Sequence, residues 1–416
     1  MKFMIKWGLA LIPALALGTQ AFAQARDVRL ADSQEPGSVI IYPKFINELF
    51  GPTGAPIIVD GQTVAQTEIE IGAVCPPGFV HAGGTCPEHE AIKIRFHWVC
   101  PGQEGINSNI CPEENFEVNI TVNGKLAFSA NGLPINGNSP PMVPAPPCAR
   151  GYLIGWVISP ANDLPVKFDG LIGNAVIRNP NLPAGTSGGS STGLSAYNAV
   201  TIQADPGLAN GAAITLGGGT GGANPGLVFD GAPGHYLALT GVAIGDVRFD
   251  KTTPGAPLPN VLSRSSLTLL TLDVLSDLPN NPTFVGIDFW NESLGSAVGS
   301  SNPAFEHLTS TFTTFVCWEQ VSLAALGGGN LTQAFQNTRK GVFIAGPAQK
   351  EADGNAPNDH PIIGADPSPF PVTLIALVET IEGTAANLFL ERKYNFNTQN
   401  DSFVVPTTFV PLPVFP

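Results

Sequence analysis

Six cysteines, Cys75, Cys86, Cys100, Cys111, Cys148 and Cys317, carry the most readable chemistry in this 416-residue chain. An even number of thiols behind an export leader implies three disulfides, because compartments outside the cytoplasm let such bonds persist. Cys75 and Cys86, and likewise Cys100 and Cys111, stand eleven positions apart around Gly and Pro that let the chain turn back. That spacing predicts two local loops, and elimination then joins Cys148 to Cys317, which both flank strongly apolar stretches. Exchange of partners among the first four stays open, since spacing alone does not fix connectivity. Cys75, His81, Cys86 and His89 are also metal-ligand types. Their C-x10-C spacing is far longer than in zinc knuckles and oxidation competes for the thiols, so no metal is expected there.

Hydrolytic and nucleotide chemistry have formal matches only. Gly185, Ser187 and Gly189 fit G-x-S-x-G, but a nucleophile elbow needs a strand before the serine and a helix after it, and this serine lies in a Gly and Ser tract. Gly217, Gly219 and Gly222 fit G-x-G-x-x-G, yet Pro225 follows and no helix opens there to hold a pyrophosphate. His81, His89 and His97 recur every eight residues, which is neither a helical nor a same-loop ligand spacing, and His97 falls on the polar face of a strand pattern, where solvated imidazole is expected. Asp288, Trp290 and Glu292, with Glu319 beside Trp318, are the carboxylates and aromatics a glycosidase would use, although an exposed strand aspartate is commonplace. Calcium has two weak candidates: the acidic loop with Asp353, Asn355, Asn358 and Asp359, and the echo of Phe168, Asp169, Gly170 and Gly173 in Phe229, Asp230, Gly231 and Gly234. Ordinary turn chemistry, with Asp bonding its own backbone and Gly at positive φ, explains both more simply. No cofactor is expected.

The elements that would position these groups are strands. Ile92, Ile94, Phe96 and Trp98 alternate with Lys93, Arg95 and His97, which predicts one core face and one solvent face. Phe116 to Val122 alternates too, and Asn123 with Gly124 predicts a type I′ hairpin into Lys125 to Phe128. With Ser38 to Phe45 and residues 67–74, about five strands lie before residue 130, the spacing of an immunoglobulin-like sandwich. Gly151 to Ile158 and Leu171 to Ile177 are near-continuous apolar runs, expected of strands buried on both faces. Further strands are expected at Tyr236 to Val242, Ser266 to Leu275, Phe284 to Trp290, Thr311 to Leu323, Val342 to Ala345, Pro371 to Ile381 and Ala386 to Phe396, with a short helix over Leu331 to Arg339. The proline-rich tail from Phe403 reads as an extended strap.

Organisation follows. Lys2 and Lys6 precede the apolar run Trp7 to Leu17, and small residues near Ala23 satisfy a cleavage rule, so residues 1–25 read as a signal peptide. The expected fold class is mainly β: two antiparallel β-sandwich units, immunoglobulin-like or jelly-roll-like, with long Gly/Pro-rich loops. The first spans 26–135 and holds the two local disulfide loops, 136–150 is a linker, and 151–416 is a larger unit with a Gly-rich insertion over 184–226. Only 12% of residues are Asp, Glu, Lys or Arg, while Gly (47) and Pro (39) are abundant, a composition that disfavours long solvated helices. The formal net charge of −14 makes nucleic acid and anionic lipid poor partners. No later apolar stretch is long enough for a transmembrane helix. The expectation is therefore an exported protein, periplasmic, cell-surface or extracellular, that works without catalysis in surface structure, adhesion or assembly against protein or surface glycan. Carbohydrate binding, or glycosidase or esterase activity, is the alternative.

Overall fold

The computed structural model describes residues 29–47, 58–59, 62–63, 66–76, 91–101, 111–130, 143–179, 193–217, 225–248, 266–272, 283–291, 306–323, 325–326, 340–346, 348–350, 370–382, 387–393 and 408–411. The leader at 1–25 and the helix expected over 331–339 lie outside them. Two residue patterns, alternating and continuously apolar, generate the strands. In chain order these are β1 (Val39–Ile46), β2 (Ile58–Val59), β3 (Gln62–Thr63), β4 (Gln66–Ala73), β5 (Ala91–Val99), β6 (Glu113–Thr121), β7 (Lys125–Ser129), β8 (Arg150–Ile158), β9 (Leu171–Asn179), β10 (Gly193–Asn198), β11 (Val200–Ile202) and β12 (Gly226–Phe229). They continue with β13 (Ala243–Arg248), β14 (Ser266–Leu270), β15 (Thr283–Asn291), β16 (Glu306–Phe315), β17 (Trp318–Ser322), β18 (Lys340–Ala345), β19 (Gln349–Lys350), β20 (Phe370–Pro371), β21 (Ile375–Glu382), β22 (Asn387–Lys393) and β23 (Thr408–Pro411). No helix among the described residues is long and apolar enough to cross a membrane.

The chain is mainly β, with several antiparallel sheets. Sheet I runs β10-β9-β4-β7, sheet II β11-β1-β8-β5-β6, sheet III β17-β14-β21-β22, and sheet IV β13-β18-β15-β19-β20 with β16 along the other edge of β15. Ile40, Tyr42, Phe96, Trp98 and Leu153 of sheet II bury themselves against Ile69, Ile71, Phe128, Ala175 and Ile177 of sheet I. The opposite face of sheet II is apolar as well: Val39, Ile41, Ile154, Trp156 and Ile202 share a second core with Phe229 and Tyr236, and with Leu270, Trp318 and Ile375 of sheet III. Sheet III in turn sets Leu267, Leu269, Ala376 and Val378 against Val285, Ile287, Phe289 and Phe343 of sheet IV. The shared cores therefore follow the order I, II, III, IV, and the central strands β1, β8 and β14 of sheets II and III are buried on both faces. β8 is the expected double-sided strand; Gly151 through Ile158 are all buried.

Several expectations need correcting. The linker over 136–150 does not divide two units, because β8 is central in sheet II and β9 in sheet I, beside strands from residues 39–129. The described part of the Gly-rich insertion supplies β10 and β11, one strand to each of these sheets. Asn123 has φ 61° while Gly124 has no positive φ, and Gly124 N donates to Thr121 O, so the bend centres on Val122 and Asn123. It carries the chain from sheet II into sheet I instead of closing a type I′ hairpin. Thr311 to Leu323 is two strands: the chain leaves sheet IV after Phe315 and enters sheet III at Trp318, with Cys317 at the corner. Tyr236 to Val242 makes only isolated bridges. Lys93, Arg95 and His97 are not a solvated face. Arg95 donates to Glu117 from Nε at 3.0 Å and Nη2 at 2.6 Å, and His97, 2% exposed, lies 4.6 Å from the Trp156 ring.

The disulfides also differ from the local-loop expectation. Cys100 pairs with Cys148 and Cys111 with Cys317, with Cα separations of 5.9 and 6.5 Å. Pleating gives the reason: Cys100 keeps the parity of Trp98 toward the core shared with sheet I, whereas Cys111 keeps the parity of Glu113 and belongs to the opposite core. Adjacent strands thus carry the two thiols to opposite faces, where their Cβ vectors diverge. Cys75 is disulfide-bonded too, while Cys86 lies outside the described residues. These bonds point to an oxidising compartment. Cys111–Cys317 closes a 206-residue separation and ties sheet II to the corner between sheets III and IV. Replacing both partners by serine is expected to lower stability by about 2–5 kcal/mol, measured by denaturant unfolding with the other disulfides intact; an unchanged midpoint would exclude this bond as a brace.

Candidate functional site

A polar cluster where sheets I, II and III meet is the most built site in the described structure. Along β1, Tyr42 pairs with Leu153 but Phe45 pairs with Gly151, so Pro43 and Lys44 together oppose Tyr152 in a β-bulge. The extra residue turns Lys44 away from the sheet I core and toward sheet III, and Pro43, lacking an N–H, fits where the ladder is interrupted. The freed carbonyl of Pro43 accepts the Trp318 indole N–H at 2.8 Å. Tyr197, from β10, serves the bulged backbone: its hydroxyl accepts from Lys44 N at 3.2 Å and donates to Lys44 O.

The Lys44 ammonium, with its side chain 3% exposed, pairs with Glu379 Oε2 of β21. Ser266 Oγ on β14 donates to the same oxygen at 3.1 Å and Gln320 Nε2 on β17 at 3.0 Å, while Gln320 Nε2 also lies 2.7 Å from Ser266 Oγ. Ser266 and Glu379 are direct register partners, so sheet III presents them side by side. Gln320 Oε1 is buried without a partner. Sequence reading passed over this cluster, although a Pro-Lys pair inside an otherwise apolar strand signals both a bulge and a cation in need of a counter-charge.

A cleft of about 600 Å3 opens on the outer face of sheet I. Ile69 and Ile71 point inward, so Glu70 and Gly72 of β4 face out beside Lys125, Ile172 and Asn174. Glu70 and Lys125 pair at 2.6 Å, and Asn174 Oδ1 is buried without a partner. Ile172, expected to be buried, is instead 41% exposed in the cleft. Residues Ser33 to Glu35 form a wall held in place by Thr201 Oγ1 donating to Glu35 O at 2.6 Å and Gln203 Nε2 donating to Asp32 O at 2.7 Å.

The aspartates of the Phe-Asp-Gly echo have different jobs. Asp230 Oδ1 accepts Ala232 N at 2.8 Å, and Gly231 and Gly234 have positive φ, which is turn chemistry. Asp169 Oδ1 reaches across the chain to Ser38 Oγ at 2.6 Å and Ala204 N at 2.8 Å. Between them Asp205 accepts Arg29 Nη1 at 2.7 Å, Gly207 N at 2.9 Å and Gly234 N at 2.8 Å. Burial pushes the Asp205 carboxyl up, but the Gly207 and Gly234 amides and the charges of Arg29 and Lys167 more than offset it, leaving the pKa below the ordinary aspartate value. Among the described residues no three His, Cys, Asp or Glu side chains converge as a metal-ligand set.

The described members of the remaining sequence candidates are not assembled into one centre. Asp288 accepts Ser310 Oγ, and Glu319 accepts Thr313 Oγ1 at 2.8 Å, so the two carboxylates engage separate hydroxyls of β16. The Trp290 side chain and Glu292 lie outside the described residues, as do His81, His89, the serine motif at 185–189 and the acidic loop at 353–359. Of the glycine motif, Gly217 is described, and it exchanges backbone hydrogen bonds with Gly226 at 3.0 Å. His97 Nδ1 lies 3.0 Å from Glu113 Oε2, and its Nε2 is buried without a partner, as is Trp156 Nε1.

These features define a disulfide-braced, mainly β protein whose polar chemistry concentrates at a junction of sheets. No family model matches the chain. No curated protein sequence matches it either. Among solved structures, squid arrestin aligns with a TM-score of 0.11 and 6% identity over 73% of this chain and 84% of its own, a likeness that carries no argument.

Asp205 sets an acid limit. Because its folded pKa is depressed, its contribution is fully present above the unfolded value of about 3.9 and is lost as pH falls through the lower folded value. Thermal midpoints recorded from neutral pH downward should therefore fall less steeply in this window for Asp205→Asn, which starts from a lower neutral-pH midpoint; parallel curves would remove Asp205 as a source of acid sensitivity.

Proposed function

We propose that the chain is an exported, non-catalytic protein of two β-sandwiches, immunoglobulin-like or jelly-roll-like, that acts in cell-surface structure, adhesion or assembly. The observation that carries this reading is the seam between sheets II and III. An apolar core, the Cys111–Cys317 bond, the Trp318 to Pro43 hydrogen bond and the buried Lys44–Glu379 pair all cross it. Domains that must move past one another to close on a substrate meet through smaller and more polar interfaces. A seam that is covalent, apolar and charge-paired at once suits a part that bears load or holds a fixed shape.

Carbohydrate binding is the second reading, favoured by the amide and charged lining of the cleft on sheet I. Sugar rings commonly stack on aromatic faces, and Trp98, Trp156, Trp318, Tyr42, Tyr152, Tyr197 and Tyr236 are all buried. The cleft would have to work through hydrogen bonds and Ile172.

Fractionating cells that export the protein, followed by electron microscopy of the fraction that holds it, separates these readings. Ordered polymer or a surface layer is the expected result. A monomer free in the surrounding medium at every concentration would overturn the assembly reading, and glycan binding abolished by Asn174→Ala would install the second in its place.

A further inference from the structure

We infer that Lys44 and Glu379 condense into an intramolecular amide that locks sheet II to sheet III. Three arrangements lead to it. The two head groups are held together by elements 335 residues apart in the chain, so their encounter is enforced by the fold and has the advantage of an intramolecular reaction. Both side chains are almost wholly buried, 3% and 11% exposed, and two charges kept from water are costly unless fully satisfied. Forming an amide replaces both charges by one neutral group. Finally, the carboxylate oxygen in contact with the ammonium already has two further donors, Ser266 Oγ and Gln320 Nε2.

The step balances without an external reagent. One ammonium proton passes to Oε2 across the existing contact, and the freed nitrogen lone pair forms a bond to the Glu379 carboxyl carbon. A second nitrogen proton then passes to Oε2 within the resulting tetrahedral adduct, while Ser266 Oγ and Gln320 Nε2 donate to that oxygen and support its departure. The bond from carbon to Oε2 then breaks and one water leaves. Oε1 remains as the amide carbonyl, and the nitrogen keeps one hydrogen. That N–H needs an acceptor, and Gln320 Oε1, buried and without a partner, lies on the side chain already engaged with Glu379. Nothing is oxidised or reduced, and expulsion of water from an apolar seam opposes hydrolysis.

Peptide mass spectrometry of the full mature protein, purified from an oxidising compartment and then reduced, tests this independently of what the protein assembles with. The expected result is a branched peptide joining the Lys44 and Glu379 segments, lighter than its two parts by one water, with no tryptic cleavage after Lys44. Lys44→Met should abolish the branch and restore a linear Glu379 peptide, and Ser266→Ala should leave a larger fraction uncondensed. Linear Lys44 and Glu379 peptides from wild-type protein whose folded state is verified by circular dichroism would overturn the inference. So would a loss of water at Glu379 that persists in Lys44→Met.

Discussion

Burial of the central strands β1, β8 and β14 of sheets II and III on both faces is the constraint on which the rest of the structure depends. A strand with one wet face can leave alternate side chains polar at little cost, whereas on a strand buried on both faces a polar group is costly unless it finds a partner. The low share of charged residues follows directly, since whole strands such as β8 have no solvent side. So does the crowding of polar side chains at the edges of the seam. Lys44, Ser266 and Gln320 gather on one carboxylate oxygen of Glu379, and Trp318 reaches the carbonyl that the bulge leaves free. At the far edge Arg95 and Glu117 neutralise one another across β5 and β6. Burial raises the Glu117 carboxyl, and the hydrogen bonds from Lys93 and Arg95 bring it below its usual value.

Much of the local structure was legible in the sequence, because period-two alternation and continuous apolar runs are properties of single strands. β5, β6, β8 and β15 stand close to where the pattern places them. Long-range assignments were not legible, for identifiable reasons. Asn123 and Gly124 read as a hairpin since turn chemistry is local, yet which sheet the next strand joins depends on partners more than fifty residues away, as when β7 pairs with β4. Cys100 and Cys111 look like a loop pair in one dimension, and the pleat sends them to opposite faces. The Gly and Pro tract over 136–150 has a linker's composition, but its end holds Cys148 and the start of β8, which bind it into the middle of sheet II.

The polar face of β5 shows the same limit at the level of chemistry. Alternation correctly separates Ile94, Phe96 and Trp98 from Lys93, Arg95 and His97, but it cannot say whether the second set meets water or another layer. Here Asp163 reaches over Lys93 at 2.8 Å, and Trp156 of the neighbouring strand lies against His97. Equally, Ile172 sits in an apolar run and is nonetheless exposed, because β9 belongs to sheet I, the outermost layer, where one face must be open.

The β1 bulge shows how one residue couples these levels. Without it, strict alternation from Ile40 and Tyr42 would send Lys44 into the core between sheets I and II, among Phe96, Phe128 and Leu153, where it would face no carboxylate among those neighbours; Phe45 would face the seam. Inserting the extra residue exchanges the two. Phe45 packs edge-on against Trp98 at 4.9 Å, and Lys44 meets Glu379. The backbone disruption is absorbed by Tyr197, whose hydroxyl is satisfied in both directions by the residue it supports. A cation in the middle of an apolar strand would otherwise oppose folding. Displaced by one position, it becomes the group that specifies how sheet III must lie on sheet II, since only one register brings Ser266, Gln320 and Glu379 to it together.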